Sequence, residues 1–436
     1  MEDAIEERYT RWKSSVPLLY DWFTNHNLTW PSLSCRWGPS VEQGSSRNLQ
    51  QLYFSEQTYG QYPNTLVVVN CEIIKPRYAA HESLSQFNEE ARSPYIKRLK
   101  TVIHPGEVNR IRDLPQLSSK VVATHTDKPE VYVWNLESQP NRSPAPGASP
   151  SKPDMVLTGH TANAEYALAL CSCEPFVLSG GQDRKVLLWD INDAVSGLNT
   201  PGRPTMNSGG TGMISSTHVS ATGIFKGHSK TVEDVQFRPS SANEFCSVGD
   251  DRCIIFWDKR QGNSPAQKIT DAHDDDIHCL DWNAHQEHYI LTGSADTSVK
   301  LFDLRKLDSN ESGCQVKKFK THESAVLGVQ WCPAKASAFA SAAADSTVSI
   351  SDIEISFKSS DSNANHSEGL IFKHIGHRGQ IVDFHWDPLE PWLLATVSTD
   401  AKGGGTLQLW RLSDLIYRPE DEVLAELESL TNKSTI

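Results

Sequence analysis

Six histidines in this chain are each followed, 23 residues later, by an aspartate: His104–Asp127, His160–Asp183, His228–Asp251, His273–Asp296, His322–Asp345 and His377–Asp400. A spacing held six times requires a repeated unit of fixed internal length. The third copy, Gly227 to Asp258, shows what the unit contains. An alternating run (Val232, Val235, Phe237) is followed by a turn-rich gap, a second apolar run (Phe245, Val248), an Asp-Asp turn and a third run (Ile254, Ile255, Trp257). That pattern predicts three short strands joined by tight turns. A hydroxyl stands four residues before the last five aspartates: Ser179, Ser247, Thr292, Ser341 and Thr396. An aromatic stands six residues after the aspartate in three copies: Trp189, Trp257 and Phe302. Trp134 and Trp410 come slightly later in theirs, and Ser351 takes the place in the fifth.

Repeats of about 40–50 residues that open with Gly-His and close with Trp-Asp mark the blades of a WD40 β-propeller. The six histidines lie 56, 68, 45, 49 and 55 residues apart, so some blades carry inserts. A loop His, a strand Ser or Thr, a turn Asp and a Trp can form one buried hydrogen-bonded chain tying three strands together, which gives every buried polar group a partner. Ser, His and Asp together also suggest a hydrolase triad. Six near-identical copies argue for structure instead, because an enzyme needs one activated nucleophile.

The chain has 436 residues and a net charge of −13, with an isoelectric point near 5.7. Such a surface disfavours direct nucleic-acid binding and favours basic protein partners. The nine cysteines are scattered, with Cys246, Cys253 and Cys279 inside predicted strands. Cys171 and Cys173 have no second pair at zinc spacing, and no carboxylate or cysteine pattern completes a site around His273, His278, His285 and His288. The expectation is therefore a reduced intracellular protein with no metal and no cofactor. No signal peptide and no apolar run of membrane-spanning length is evident.

Taken in order, residues 2–26 read as a helix, because Ile5, Tyr9, Trp12, Val16, Leu19 and Phe23 step by three and four. Pro17 is expected to kink that helix or start a second one. Residues 30–37, 51–58, 65–74 and 96–103 read as strands of a blade that lacks the His–Asp marks, joined by a polar connection at 75–95. With the six marked repeats it makes seven. Three inserts read as disordered by composition: 137–154, rich in Pro and Ser; 193–222, rich in Gly, Ser and Thr; and 354–369. Glu420 to Leu430 reads as a short amphipathic helix. The expected architecture is thus all-β: a seven-bladed WD40 propeller over 30–415, an N-terminal helix (1–29) packed on its side, and a C-terminal helix and tail (416–436).

The residues after each His loop begin the innermost strand, at one mouth of the central channel. Glu107, Thr231, Asp276, Ala325 and Gln380 precede the first Val or Ile of that strand, and Glu233 follows one. With Glu165, Tyr166 and Asn109 nearby, these acids suit a Lys/Arg-rich peptide laid across the mouth.

Two segments go beyond a generic WD40 pattern. One is Tyr20-Asp21-Trp22-Phe23 through Leu28-Thr29-Trp30-Pro31-Ser32-Leu33; the other runs from Ile381 through His385-Trp386-Asp387-Pro388 to Trp392. With Gly106-Glu107-Val108-Asn109-Arg110, they resemble the retinoblastoma-associated, MSI-type histone-binding WD40 proteins. The wording around Ala164–Leu170 and the Gly/Pro-rich inserts resemble the plant FVE-type branch. The resemblance implies a non-enzymatic, nuclear scaffold shared by histone deacetylase, Polycomb-type methyltransferase and chromatin assembly complexes, and bound to arginine-rich core histones. It implies two surfaces. One is a side groove for a histone helix, with Leu18, Leu19, Trp22 and Phe23 on the N-terminal helix and Asp361, Glu368, Leu370 and Ile371 in and after the third insert. The other is the channel mouth, with Glu107, Asn109, Arg110, Glu165, Tyr166, Glu233, Asp276 and His278, where Gln380 also lies. The insert departs from the family's acidic, Pro-Pro-containing pattern, and Ala325 stands where the family has an acid. As an alternative, Trp257-Asp258-Lys259-Arg260, and less closely Phe302 to Arg305, resemble the WDxR motif of substrate receptors for cullin–RING ubiquitin ligases, in which the Arg meets an adaptor.

Overall fold

A computed structural model describes every residue except 1, 77, 80–83, 85–86, 115–119, 165, 196–215, 308–313, 359–368, 401–402, 419–420 and 427–436. The strands form seven sheets. Blade 1 is built from Cys35–Gln43, Arg47–Glu56, Thr65–Ile74 and Ile96–Ile103, and blade 2 from Arg110–Asp113, Val121–His125, Val131–Asn135 and Met155–Thr158. Blade 3 comprises Leu168–Leu170, Phe176–Gly180, Lys185–Asp190 and Gly223–Lys226, and blade 4 Val232–Phe237, Glu244–Gly249, Ile254–Asp258 and Gln267–Ile269. Blade 5 takes Ile277–Trp282, Tyr289–Ser294, Val299–Asp303 and Gln315–Phe319, and blade 6 Val326–Trp331, Ala338–Ala343, Val348–Asp352 and Leu370–His374. Blade 7 has three consecutive strands, Ile381–Trp386, Leu393–Thr399 and Gly405–Leu412. The first-named strands contact one another in cyclic order and enclose the channel.

The fourth strand of blade 7 comes from the other end of the chain. Tyr20–Leu28 pairs antiparallel with Gly405–Leu412, so the N-terminal helix stops at Leu19 instead of running to residue 26. The helical step from Leu19 to Phe23 is real but loses to the open edge of the last sheet, whose unpaired N–H and C=O groups need a partner. Pairing there closes the ring. Asp21 adds a 2.6 Å ion pair to the buried Arg411. Trp22 and Phe23 then fall on opposite faces of a strand. Trp22 packs in the core beside blade 1, and Phe23 packs against Trp12 and Phe87 under the helix. The helix docks by Tyr9, Trp12 and Val16. The Tyr20 hydroxyl accepts from the Trp12 indole at 2.9 Å and lies 2.6 Å from His374 Nδ1. The connection at 75–95 contributes to this packing through Phe87 and a Lys13–Glu89 ion pair.

The Pro/Ser-rich insert 137–154 is ordered. It straps onto the outer strand of blade 1: Arg142 N–H donates to Thr101 O at 2.9 Å, Asn141 Oδ1 accepts from Thr101 N–H at 2.9 Å, Ser151 N–H donates to Ile103 O at 2.8 Å, and Ser151 Oγ accepts from Ile103 N–H at 3.2 Å. Composition argued for disorder because the segment has little to bury. It orders instead by satisfying an existing strand edge, for which polar residues suffice. The second insert is ordered at both ends: Asn192–Val195 is helical, and Thr217–Ser220 adds a parallel fifth strand to blade 2 beside Met155–Thr158. Of the third, Ile353–Lys358 is helical and 359–368 lie outside the described residues, with Asp361 and Glu368 among them. At the C-terminus, one helical turn at Asp414–Tyr417 precedes helical backbone at 421–426; Tyr417 stacks on Trp392 at 4.5 Å.

The polar chain forms as the spacing demands in the middle blades. His228 Nδ1 lies 2.9 Å from Asp251, its Nε2 2.7 Å from Ser247 Oγ, and the Trp257 indole donates to the same Oγ at 2.8 Å. Burial pushes the Asp251 carboxyl up, but the His228 bond and the backbone N–H groups of Ser229 and Cys253 outweigh it and leave the group at about 2. His160–Asp183–Ser179, His273–Asp296–Thr292 and His322–Asp345–Ser341 repeat the geometry. The outer two pairs differ. His104 Nδ1 meets the Gly106 carbonyl while Asp127 accepts from Glu107 N–H. His377 Nδ1 meets Ser398 and Thr406.

Around the channel, neighbouring blades are joined by a repeated two-bond clamp. Trp331 donates its backbone N–H to Asp281 Oδ2 (2.7 Å) and its indole N–H to Asp281 O (3.3 Å). Trp386 does the same to Gln330, and Trp37 to His385. The innermost strand of a blade has one free edge, and the preceding blade's side chain covers it.

Candidate functional site

The mouth is set by one backbone bond used four times. The carbonyls of Thr231, Asp276, Ala325 and Gln380 accept from the N–H of Asp250, Ala295, Ala344 and Thr399, at 2.9 to 3.1 Å. These four residues therefore occupy equivalent rim positions in blades 4 to 7. Glu107 is half-buried, and its carboxylate accepts from Gln57 Nε2 at 2.7 Å. Glu233 and His278 are half-buried on the inner strands of blades 4 and 5. Tyr166 is 40% exposed, and Gln380 is exposed.

Sequence reasoning passed over Asp250, the first residue of the Asp-Asp turn, whose position was the available signal. Burial pushes its carboxyl up and neighbouring Asp276 adds to the rise, opposed by Thr231, His278 and Lys230. Lys230 lies 3.7 Å from Asp276. Two carboxylates sharing one exposed lysine give this sector an excess of negative charge, which a further cation relieves.

Not every expected mouth residue faces the rim. Arg110 is buried and turns into the channel, where it pairs with Asp383 of blade 7 at 3.3 Å. It opens an inner strand whose alternate residues, Arg110 and Arg112, both line the channel cavity of about 300 Å³. Arg110 is thus a strut across the channel. Asn109 is buried too; its N–H donates to His125 O, and its Oδ1 has no hydrogen-bond partner among the described residues. Glu165 lies outside the described residues.

The side surface is less complete than expected. Leu18 is 74% exposed, Leu19 is half-buried against the helix-side core, and Leu370 and Ile371 are half-buried on the outer strand of blade 6. Trp22 and Phe23 are core residues and cannot line a groove. The structure instead exposes Ile355 and Phe357, each nearly half accessible, on the helix Ile353–Lys358. Composition hid them inside an insert read as disordered.

The WDxR residues lie at the far end of the channel from the acidic rim, since Asp258 pairs with Glu244 while Val232 pairs with Gly249. Trp257 is spent on the polar chain. Arg260 makes a two-bond contact with Asp258 (2.9 and 2.8 Å) and one to Glu244 (2.9 Å), and Arg305 closes on Asp303 in the same way. Each Asp caps the short 3₁₀ turn that carries its Arg. The guanidinium heads are still largely exposed.

The geometry defines a seven-bladed WD40 propeller that presents surfaces and has no assembled catalytic group among the described residues. No group of three or more potential metal ligands occurs among them, and no helix among them is long and apolar enough to cross a membrane. Residues 151–190, 220–258, 264–303 and 313–352 match the WD domain, G-beta repeat family. Residues 7–75 match the family of the histone-binding protein RBBP4 and its counterpart in the CAF1 complex. The chain is 56% identical over 433 residues to the WD-40 repeat-containing protein MSI4 of Arabidopsis thaliana, covering 98% of this chain and 85% of that protein. It is 30% identical over 428 residues to MSI3 of the same plant, covering 96% and 92%. The chain belongs to the MSI-type family of WD40 proteins.

Proposed function

We propose that this protein is a non-enzymatic, nuclear histone-binding scaffold, and that its acidic channel mouth takes Arg/Lys-rich segments of core histones or co-repressors. The observation that carries the reading is the convergence of Glu107, Glu233, Asp250 and Asp276 on one rim, in a chain whose N-terminal part matches a histone-binding family. A rigid ring of acids offers charge-assisted bonds to guanidinium and ammonium groups without ordering cost on the protein side. The side surface around Leu18, Leu19, Leu370 and Ile371 is the second contact, for a helix of an arginine-rich core histone, and Ile355 and Phe357 extend it. As a scaffold the protein would serve deacetylase or Polycomb-type repressor complexes by holding their histone substrate.

The test is binding of the full chain to an arginine-rich core histone pair and to tail peptides across a salt series. Glu107→Lys with Glu233→Lys should weaken tail binding more than about tenfold, and binding should fall steeply with salt. Unchanged affinity in the folded double variant would sink the mouth assignment.

A further inference from the structure

We infer that Ser149 is a phosphorylation site for a proline-directed kinase that selects a basic residue three positions further on, and that Arg142 holds the resulting phosphate. Five Ser/Thr–Pro steps occur in the chain, at Ser93, Ser143, Ser149, Thr200 and Ser264. Two of them carry a basic residue at the third position after the hydroxyl: Ser149 with Lys152, and Thr200 with Arg203. Thr200 lies outside the described residues. Ser93 is buried and bonded to Thr24. Ser149, Pro150 and Lys152 are all exposed, and Pro150 biases Ser149 toward the extended backbone that a kinase cleft accepts.

The strap that carries Ser149 is anchored to blade 1 on both sides of it, through Asn141 and Arg142 to Thr101 and through Ser151 to Ile103. Between the anchors the chain turns back at Gly147, where φ is +77°. This brings Arg142 Nη2 to 3.4 Å from Ser149 Oγ. In the transfer, Ser149 Oγ attacks the γ-phosphorus of ATP. The new O–P bond replaces the bond to the bridging oxygen, ADP leaves, and the hydroxyl proton goes to the kinase's base. The product dianion then lies against a guanidinium, which forms a charge-assisted pair with it. The phosphate thereby ties the two limbs of the strap together.

The experiment uses the full-length Thr200→Ala protein, a cyclin-dependent-class kinase and Mg-ATP, read by intact mass and peptide mapping. One phosphate at Ser149 is expected, with none on Ser149→Ala and loss of most of the rate on Lys152→Ala. Arg142→Gln should still be modified, but its phosphate should ionise at the ordinary second value of about 6 in ³¹P NMR, whereas with Arg142 present it ionises lower. Phosphate on Ser143 or Ser264 with Ser149 untouched overturns the site. So does a folded protein that is not modified when the free 141–153 peptide is. An Arg142→Gln protein with the same phosphate ionisation as its parent overturns the clamp.

Discussion

Blades 4 and 5 contain a built-in comparison of what one hydroxyl holds. In blade 4, Ser247 Oγ serves both His228 and the Trp257 indole, and all are buried. In blade 5, Thr292 serves His273, but the aromatic is Phe302, which has no N–H to give. Ser247→Ala therefore orphans two buried groups, while Thr292→Val, which keeps the side-chain shape, orphans one. At about 1–3 kcal/mol for each stranded group, the first should cost about 2–6 kcal/mol and the second about 1–3 kcal/mol. The assay is denaturant unfolding of both variants with the slope unchanged, so that a midpoint shift reports stability alone. Trp257→Phe should also cost less in the Ser247→Ala background than in the parent, by on the order of 1 kcal/mol. Equal destabilisation by Ser247→Ala and Thr292→Val, or an equal cost of Trp257→Phe in both backgrounds, would refute the shared-acceptor account.

The remaining predictions concern pH, closure and the far face. Burial holds His104 down at about 4 and His374 at about 3, against an ordinary 6.5; the unfolded chain takes up these protons first as pH falls. Stability should be complete above pH 6.5 and decline from there toward about 4, and a urea midpoint that stays flat between pH 7 and 5 would contradict this. Tyr20→Phe strands both the Trp12 indole and His374 and should cost about 2 kcal/mol or more, with faster amide exchange concentrated in Glu2–Leu19; exchange unchanged there means the hydroxyl does not hold the helix. Arg260→Ala should fold normally because its head is mostly exposed; if it still co-purifies with a cullin–RING adaptor, the WDxR reading has no support.

The propeller was legible because the His–Asp spacing is a distance within one blade, set by local strands and turns. Ring closure was not. Tyr20–Leu28 satisfies a helical period up to Phe23, and only the unpaired edge at Gly405–Leu412, remote in sequence, decides between helix and strand. The strap at 137–154 was misread for a related reason: composition reports what a segment can bury, and this one is held by the hydrogen bonds of a neighbouring edge. At the mouth, Glu107, Glu233 and Asp276 were readable from their place after each His loop. Arg110 shared that position in sequence, but its side chain points down the channel to Asp383. Asp250 escaped because it lies in a turn between strands, outside the inner-strand positions being compared.

The closing strand also sets a schedule. Asp21 and Arg411, which lock its two halves, are 390 residues apart. At a synthesis rate of about 5–20 residues per second, the first strand to leave the ribosome waits roughly 20–80 s for its partner. Throughout that wait Trp22 and Phe23 have no finished sheet to cover them. The propeller cannot be completed blade by blade as it emerges, so nascent chains of this protein depend on something else to shield their N-terminus until the last strand arrives.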